Sequence, residues 1–229
     1  MMREAKDASQ QKLMKRGPFP LFPLPALVAL PGQEVALHFF EPRYRALGRD
    51  LVALREGGHA RPELILAEVR PGEDARRNDC LLFEIASLGH VVDHVVNRDG
   101  TIDVLIDVKE RVRIEESERG DLPYRRAWVE TLEDVVVESP ALYATEASLR
   151  AYAAELQAIE RMFNGRGGVR LDGGVGALAD RLADRYFQNF PKLRRQVLEA
   201  LDVLTRAEIV LEYLAQIVNA VHEAQRKTH

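Results

Sequence analysis

The sequence predicts an α+β protein: a β-rich segment over 18–138, an all-helical segment over 139–229, and a short tail over 1–17. Three observations carry that reading. Pro18, Pro20, Pro23 and Pro25 forbid helix near the start, because each ring fixes φ and removes a backbone donor. Short apolar runs bounded by Pro, Gly and Asp then recur up to about Glu138. Beyond Ser139 the apolar spacing changes to three and four.

Taken in order, residues 1–16 hold five basic and two acidic side chains without periodicity, which predicts a flexible tail. Leu21, Leu24, Leu27 and Leu30 anchor the proline-rich entry. Pro31-Gly32 turns the chain into a strand over Glu34–Phe39, and Pro42 suits the first position of a helix. In that helix Tyr44, Leu47, Leu51 and Leu54 share one face. Strands are expected over Glu63–Val69 and Cys80–Leu88. The turn Asn97-Arg98-Asp99-Gly100 precedes a strand in which Ile102, Val104, Ile106 and Val108 alternate with polar residues. Lys109-Glu110 leads into Val112 and Ile114, and a last strand is expected over Ala127–Val137.

Ser139-Pro140 pairs a capping side chain with a proline at the first helical position. That helix continues through Leu149, Tyr152, Leu156, Ile159 and Phe163. A glycine-rich break over 165–176 predicts a mobile loop. Leu178, Leu182, Tyr186 and Phe190 mark a second helix, and Pro191 stops and restarts it. Asp202 can cap a last helix with a wide apolar face (Leu204, Ala207, Leu211, Leu214, Val218 and Val221, beside Val203, Val210 and Ile217), suited to packing in a bundle.

Composition narrows the function. Charged residues make up 30% and hydrophobic residues 46% of the 229, the balance of a globular protein. A net charge of −4 supplies no global field toward nucleic acid or anionic lipid. The excess of Arg over Lys reads as codon bias, since the arginines are interspersed with acids. Cys80 stands alone, which excludes an intramolecular disulfide and a Cys-rich zinc site, and its apolar setting reads as core. No apolar run reaches the ~18 residues of a membrane helix, and the proline density of PFPLFPLPALVAL argues against a signal peptide. A cytoplasmic protein is expected.

No catalytic pattern along the chain is complete. The closest string to a phosphate loop, from Gly168, has Gly174 where a lysine must reach the phosphates. Gly174-Val175-Gly176-Ala177-Leu178-Ala179 spells a dinucleotide motif but lies between helices rather than after a strand. His90, Asp93 and His94 are the nearest approach to a metal set. On a strand, positions i and i+4 stand ~13 Å apart, too far for one zinc. His38 beside Glu41 lacks a nearby nucleophile. Arg125-Arg126 and Lys192, Arg194 and Arg195 are basic clusters without the interleaved aromatics of single-strand binders. No cofactor, metal or catalytic residue is expected.

The ordered set PLFPLP, ALPG, LHFFE and Pro42-Arg43-Tyr44 resembles the start of the Lon protease N-terminal, or substrate-binding, domain family. SLGHVV, RDGTIDVLIDV, RVRI and Tyr124-Arg125-Arg126-Ala127 follow that pattern, as does the helical run QVLEALDVLTRAEIVLEYLAQIV. Asp107-Val108-Lys109-Glu110 departs from it where many members carry a glycine. The resemblance covers roughly 18–221 and implies a PUA-like, partly open β-barrel domain followed by an all-α helical subdomain. It also implies a stand-alone, non-catalytic member without the ATPase and peptidase domains, since the sequence ends at His229. The implied function is recognition of polypeptide segments, as an adaptor for an ATP-dependent protease. The alternative is a PUA-like RNA-binding protein. Polypeptide substrates or a protease are the implied partners, rather than membrane or nucleic acid, and homo-oligomerisation stays open. The candidate peptide-binding or structural motif is Phe39, Phe40, Glu41, Pro42, Arg43 and Tyr44. Its structural reading puts Phe39 and Tyr44 in the core and pairs Arg43 with an acid.

Overall fold

The computed structural model describes residues 15–58, 61–118, 120–164 and 168–228. Among them the strands are β1 (Arg16–Leu24), β2 (Glu34–Phe39), β3 (Glu63–Glu68), β4 (Ile85–Val96), β5 (Ile102–Glu116) and β6 (Arg125–Leu132). The helices are α1 (Pro42–Glu56), α2 (Pro140–Asn164), α3 (Val175–Tyr186), α4 (Pro191–Glu199) and α5 (Val203–Thr228). The chain falls into two compact units. One holds residues up to Leu27 together with Glu34–Leu132, and the other holds Val28–Gln33 together with the chain from Glu133 onward.

The first unit is the barrel. Its sheet runs β2-β5-β4-β3-β1-β6, and β6 also pairs with β5. Because β5 is 15 residues long, its two halves take different partners on one edge. Residues 102–107 pair with β2, and residues 111–116 pair with β6. The barrel therefore closes where β6 bridges β1 and β5, and stays open beside β2. Leu21, Ile65, Leu88, Val112, Ala127 and Val129 fill the closed part, with Cys80 among them. Beside β2, Phe39, Tyr44, Leu47 and Leu51 are buried.

The sequence reading differs from the structure at four places. Arg16 and Gly17, expected in the tail, belong to β1, where Arg16 Nη2 donates to Thr131 Oγ1 at 3.0 Å; residues 1–14 lie outside the described residues. The expected strand from Cys80 begins only at Ile85, since the Cys80 carbonyl accepts from Arg125 rather than from a ladder partner. β6 stops at Leu132, because beyond it Val135 turns to the second unit, donating to the Leu201 carbonyl and accepting from Val203 N–H. Where the glycine was absent, β5 runs on without a turn. It carries Lys109 as an extra residue, with Gly89 opposite Val108 and Leu88 opposite Glu110. Gly89 makes room there, because a Cβ would lie 2.5 Å from Ile106 Cγ2.

In the second unit Ser139 Oγ accepts from Leu142 N–H at 3.2 Å and caps α2. Asp202 Oδ1 accepts from Thr205 N–H at 2.7 Å and caps α5. Both caps satisfy amides that the helix leaves unpaired. The line of α5 that reaches the core is Val203, Ala207, Val210, Leu214 and Val218, while Leu204 and Leu211 flank it half-buried. Leu149 and Leu156 of α2 and Leu178 and Leu182 of α3 are buried with it. Of the glycine-rich break, residues 165–167 lie outside the described residues, as does the Phe163 side chain; residues 168–174 are irregular and α3 begins at Val175.

Candidate functional site

The motif Phe39–Tyr44 forms the corner where β2 passes into α1. Alternation along β2 buries Val35, Leu37 and Phe39 and turns Glu34, Ala36 and His38 outward. Glu41, with φ −67° and ψ 143°, ends the extended run, and Pro42 opens the helix. Phe40 therefore projects into solvent with 62% of its surface exposed, while Phe39 and Tyr44 are buried.

Three rings close the inner side. Phe22 lies 4.5 Å from Tyr44 and 5.2 Å from Phe39, all tilted. Burial pushes the Tyr44 hydroxyl up to about 12, against the opposing pull of Arg43. The Arg43 guanidinium stands 4.4 Å over the Tyr44 ring. It donates to Glu41 Oε2 at 2.9 Å, to the Ala75 carbonyl at 2.9 Å and to Asn78 Oδ1 at 2.6 Å. Arg43 thus ties the corner to the loop after β3 as well as to an acid.

The same loop has a second anchor that the sequence did not reveal. Buried Arg125 donates to the Cys80 carbonyl at 2.8 Å and to Cys80 Sγ at 3.2 Å, and pairs with Glu116. Burial works against its charge, and Glu116 more than offsets this, holding the guanidinium above its ordinary value. No local pattern marks this partnership, since the partners are 45 residues apart in sequence.

Outside the corner, β2 has an outer edge without a strand partner among the described residues. Next to it His38 Nδ1 lies 2.6 Å from Asp103 Oδ1 and stacks on Phe40 at 6.0 Å. Asn97 donates to Asp103 Oδ2 at 2.7 Å. The Asn97 hydrogen bond, with that of His38, holds the Asp103 carboxyl below its usual range. Exposed Val95 sits opposite Asp103 and so shares the face of His38. An edge of unpaired amides and carbonyls beside exposed Phe40 and Val95 can pair with an extended chain and hold apolar side chains.

The other candidates separate. In β4 an irregularity between Val91 and Asp93 leaves His90 opposite Asp107 and His94 opposite Val104, on different faces. No group of three potential metal ligands occurs among the described residues. His38 pairs with Asp103 rather than Glu41. Arg126 donates to the Pro18 carbonyl. Arg194, buried, donates to the Val28 carbonyl at 2.9 Å and Gln33 Oε1 at 2.7 Å. Arg195 pairs with Glu199. The expected basic clusters are thus largely engaged with the chain's own acceptors. Gly176 of the dinucleotide-like spelling has a packing role. A Cβ there would lie 2.8 Å from Asp134 Oδ2 and 3.0 Å from Arg206 Nη1, the partners of an ion pair whose Arg206 is buried and whose Asp134 is exposed.

No helix among the described residues is long and apolar enough to cross a membrane. A family model described as the ATP-dependent protease La (LON) substrate-binding domain matches residues 18–216. Lon protease 3 of Sorangium cellulosum is 26% identical over 211 residues, 90% of this chain but 24% of that protein, so the chain spans about a quarter of its relative's length. Two solved structures share the fold. The N-terminal domain of the Mycobacterium avium complex Lon protease has a TM-score of 0.55 and 19% identity, covering 86% of this chain and 97% of its own. A Lon N-terminal domain protein from Xanthomonas campestris has a TM-score of 0.56 and 22% identity, covering 85% and 97%. With a partly open barrel followed by helices, and a family match across nearly all of both units, this chain belongs to the Lon substrate-binding domain family.

Proposed function

We propose that the chain binds extended or partly unfolded polypeptide segments without cleaving them, and presents them to an ATP-dependent protease. The observation that carries this reading is the outer edge of β2, unpaired among the described residues, running into exposed Phe40. Backbone pairing along β2 supplies affinity that tolerates many sequences, and Phe40 and Val95 favour apolar side chains. The Phe39–Tyr44 corner serves this site from beneath: Phe39 and Tyr44 fix the strand end, and Arg43 holds the adjoining loop. Family membership supports the same reading.

Binding by backbone pairing and apolar contact persists in moderate salt, whereas phosphate-driven binding falls by orders of magnitude. The test titrates labelled unfolded protein and labelled RNA at low and high salt, with assays of ATP and peptide hydrolysis alongside. The expected result is salt-tolerant polypeptide binding, weakened by Phe40→Ser, with no hydrolysis. Tight, salt-sensitive RNA binding with no polypeptide binding would overturn it in favour of an RNA-binding protein.

A further inference from the structure

We infer that a groove between α4 and α5 recognises a second polypeptide determinant, an aromatic or aliphatic side chain flanked by Lys or Arg. This rests on the polypeptide-binding reading and adds to it a separate place and a chemistry. The groove has a volume of about 720 Å³. Its floor is Phe190, Leu193, Ile209 and Tyr213. Residues 209, 213 and 216 follow helical spacing on α5, away from the buried line through Val210, Leu214 and Val218.

Two features make this more than an unpartnered apolar face. Its aromatic floor is held in place: Tyr213 meets Phe187 edge-on at 4.6 Å and Phe190 at 5.0 Å, while Phe190 keeps 42% of its surface exposed. Its charge has one sign, since Glu199 and Glu212 are the only charged residues lining it among the described residues. Both are exposed, and Arg195 contacts Glu199 from outside the lining. An apolar floor lowers the local dielectric and strengthens attraction between such carboxylates and a cation above them. Anionic ligands are repelled, and a neutral apolar segment offers Glu212 no cation, while Glu199 already has Arg195. A segment with an apolar anchor and a neighbouring Lys or Arg satisfies floor and rim together, with the cation also able to lie against an aromatic face. Gln196 and Gln216 at the rim offer donors and acceptors to its backbone.

The test uses the full chain and two short labelled peptides that differ only in Lys or Glu beside a Trp-Leu pair, read by fluorescence anisotropy. The Lys peptide is expected to bind about tenfold tighter than the Glu peptide, because the acidic rim attracts the one and repels the other. Glu199→Gln with Glu212→Lys should erase that preference, and Phe190→Ala should weaken the Lys peptide about tenfold. Equal binding of the two peptides, or a Lys preference that survives the double substitution, overturns the inference. So does a sedimentation result in which Glu212→Lys splits a dimer and leaves peptide affinity unchanged, because the groove is then an interface between copies. Unfolded protein titrated against the double variant reads the β2 edge by itself. Its loss in Phe40→Ser with groove binding intact separates the two sites.

Discussion

Tyr44 sits where core and candidate site meet, touching Phe22 and Phe39 on one side and lying under Arg43 on the other. Truncating a buried aromatic costs about 3–5 kcal/mol, a large share of the stability of an ordinary domain. Tyr44→Ala is therefore expected to lower the melting temperature sharply or abolish soluble expression, as differential scanning calorimetry would register. Its hydroxyl makes a further prediction. A folded-state pKa pushed up to about 12 stabilises the neutral form, so its contribution is complete below the unfolded value near 10 and is lost as pH rises toward 12. The slope is about 1.4 kcal/mol per pH unit in that window. Urea midpoints measured from pH 9 to 12 should fall for the wild type and fall less for Tyr44→Phe. An unchanged profile would show that Tyr44 ionises as freely folded as unfolded. The corner residues were legible because strand alternation and a proline at a helix start are local rules. Arg125 was illegible because its meaning depends on a carbonyl far along the chain.

At the scale of elements, the same division holds. β2, α1 and the caps at Ser139 and Asp202 rest on neighbouring residues, and the sequence placed them. The ends of β4 and β6 depend on partners that run out or turn elsewhere, and there the reading overshot. The groove between α4 and α5 arises only from how two helices meet, so no single stretch announces it. α3 supplies a test of packing against propensity. Alanine in a helix interior is ordinarily better than glycine by about 0.5–1 kcal/mol. Gly176 lies in the first turn of α3, where that preference is weaker, and the new methyl would press on buried Arg206 as well as on exposed Asp134; overpacking against a buried group typically costs about 1–3 kcal/mol. Gly176→Ala should destabilise, and a raised melting temperature would mean that α3 or the ion pair yields more easily than the contacts imply.

For the whole molecule the governing fact is that the second unit is discontinuous, with Val28–Gln33 belonging to it. A division read from sequence alone, at 139, would leave that segment behind. A fragment of residues 133–229 lacks the Val28 carbonyl and Gln33 Oε1 that Arg194 uses. Arg194 keeps Asp184 within that fragment, and leaving its other buried N–H groups without acceptors costs about 1–3 kcal/mol. That fragment is expected to show reduced helical signal and early melting by circular dichroism, with recovery when a peptide spanning 26–35 is added. A fragment that melts like the same helices in the full chain would show that Val28–Gln33 is dispensable.

The interleaving also fixes an order of assembly. Val28–Gln33 leaves the ribosome well before Arg194, so the second unit waits until the chain has been synthesised past that residue. Bringing its two pieces together across an unfolded insert of roughly 100 residues costs about 2 kcal/mol more in loop entropy than across ten. If the β unit folds first, that insert no longer counts as slack chain, and most of the penalty disappears. A mutation that merely slows the barrel should then delay the helices as well, although it touches none of them.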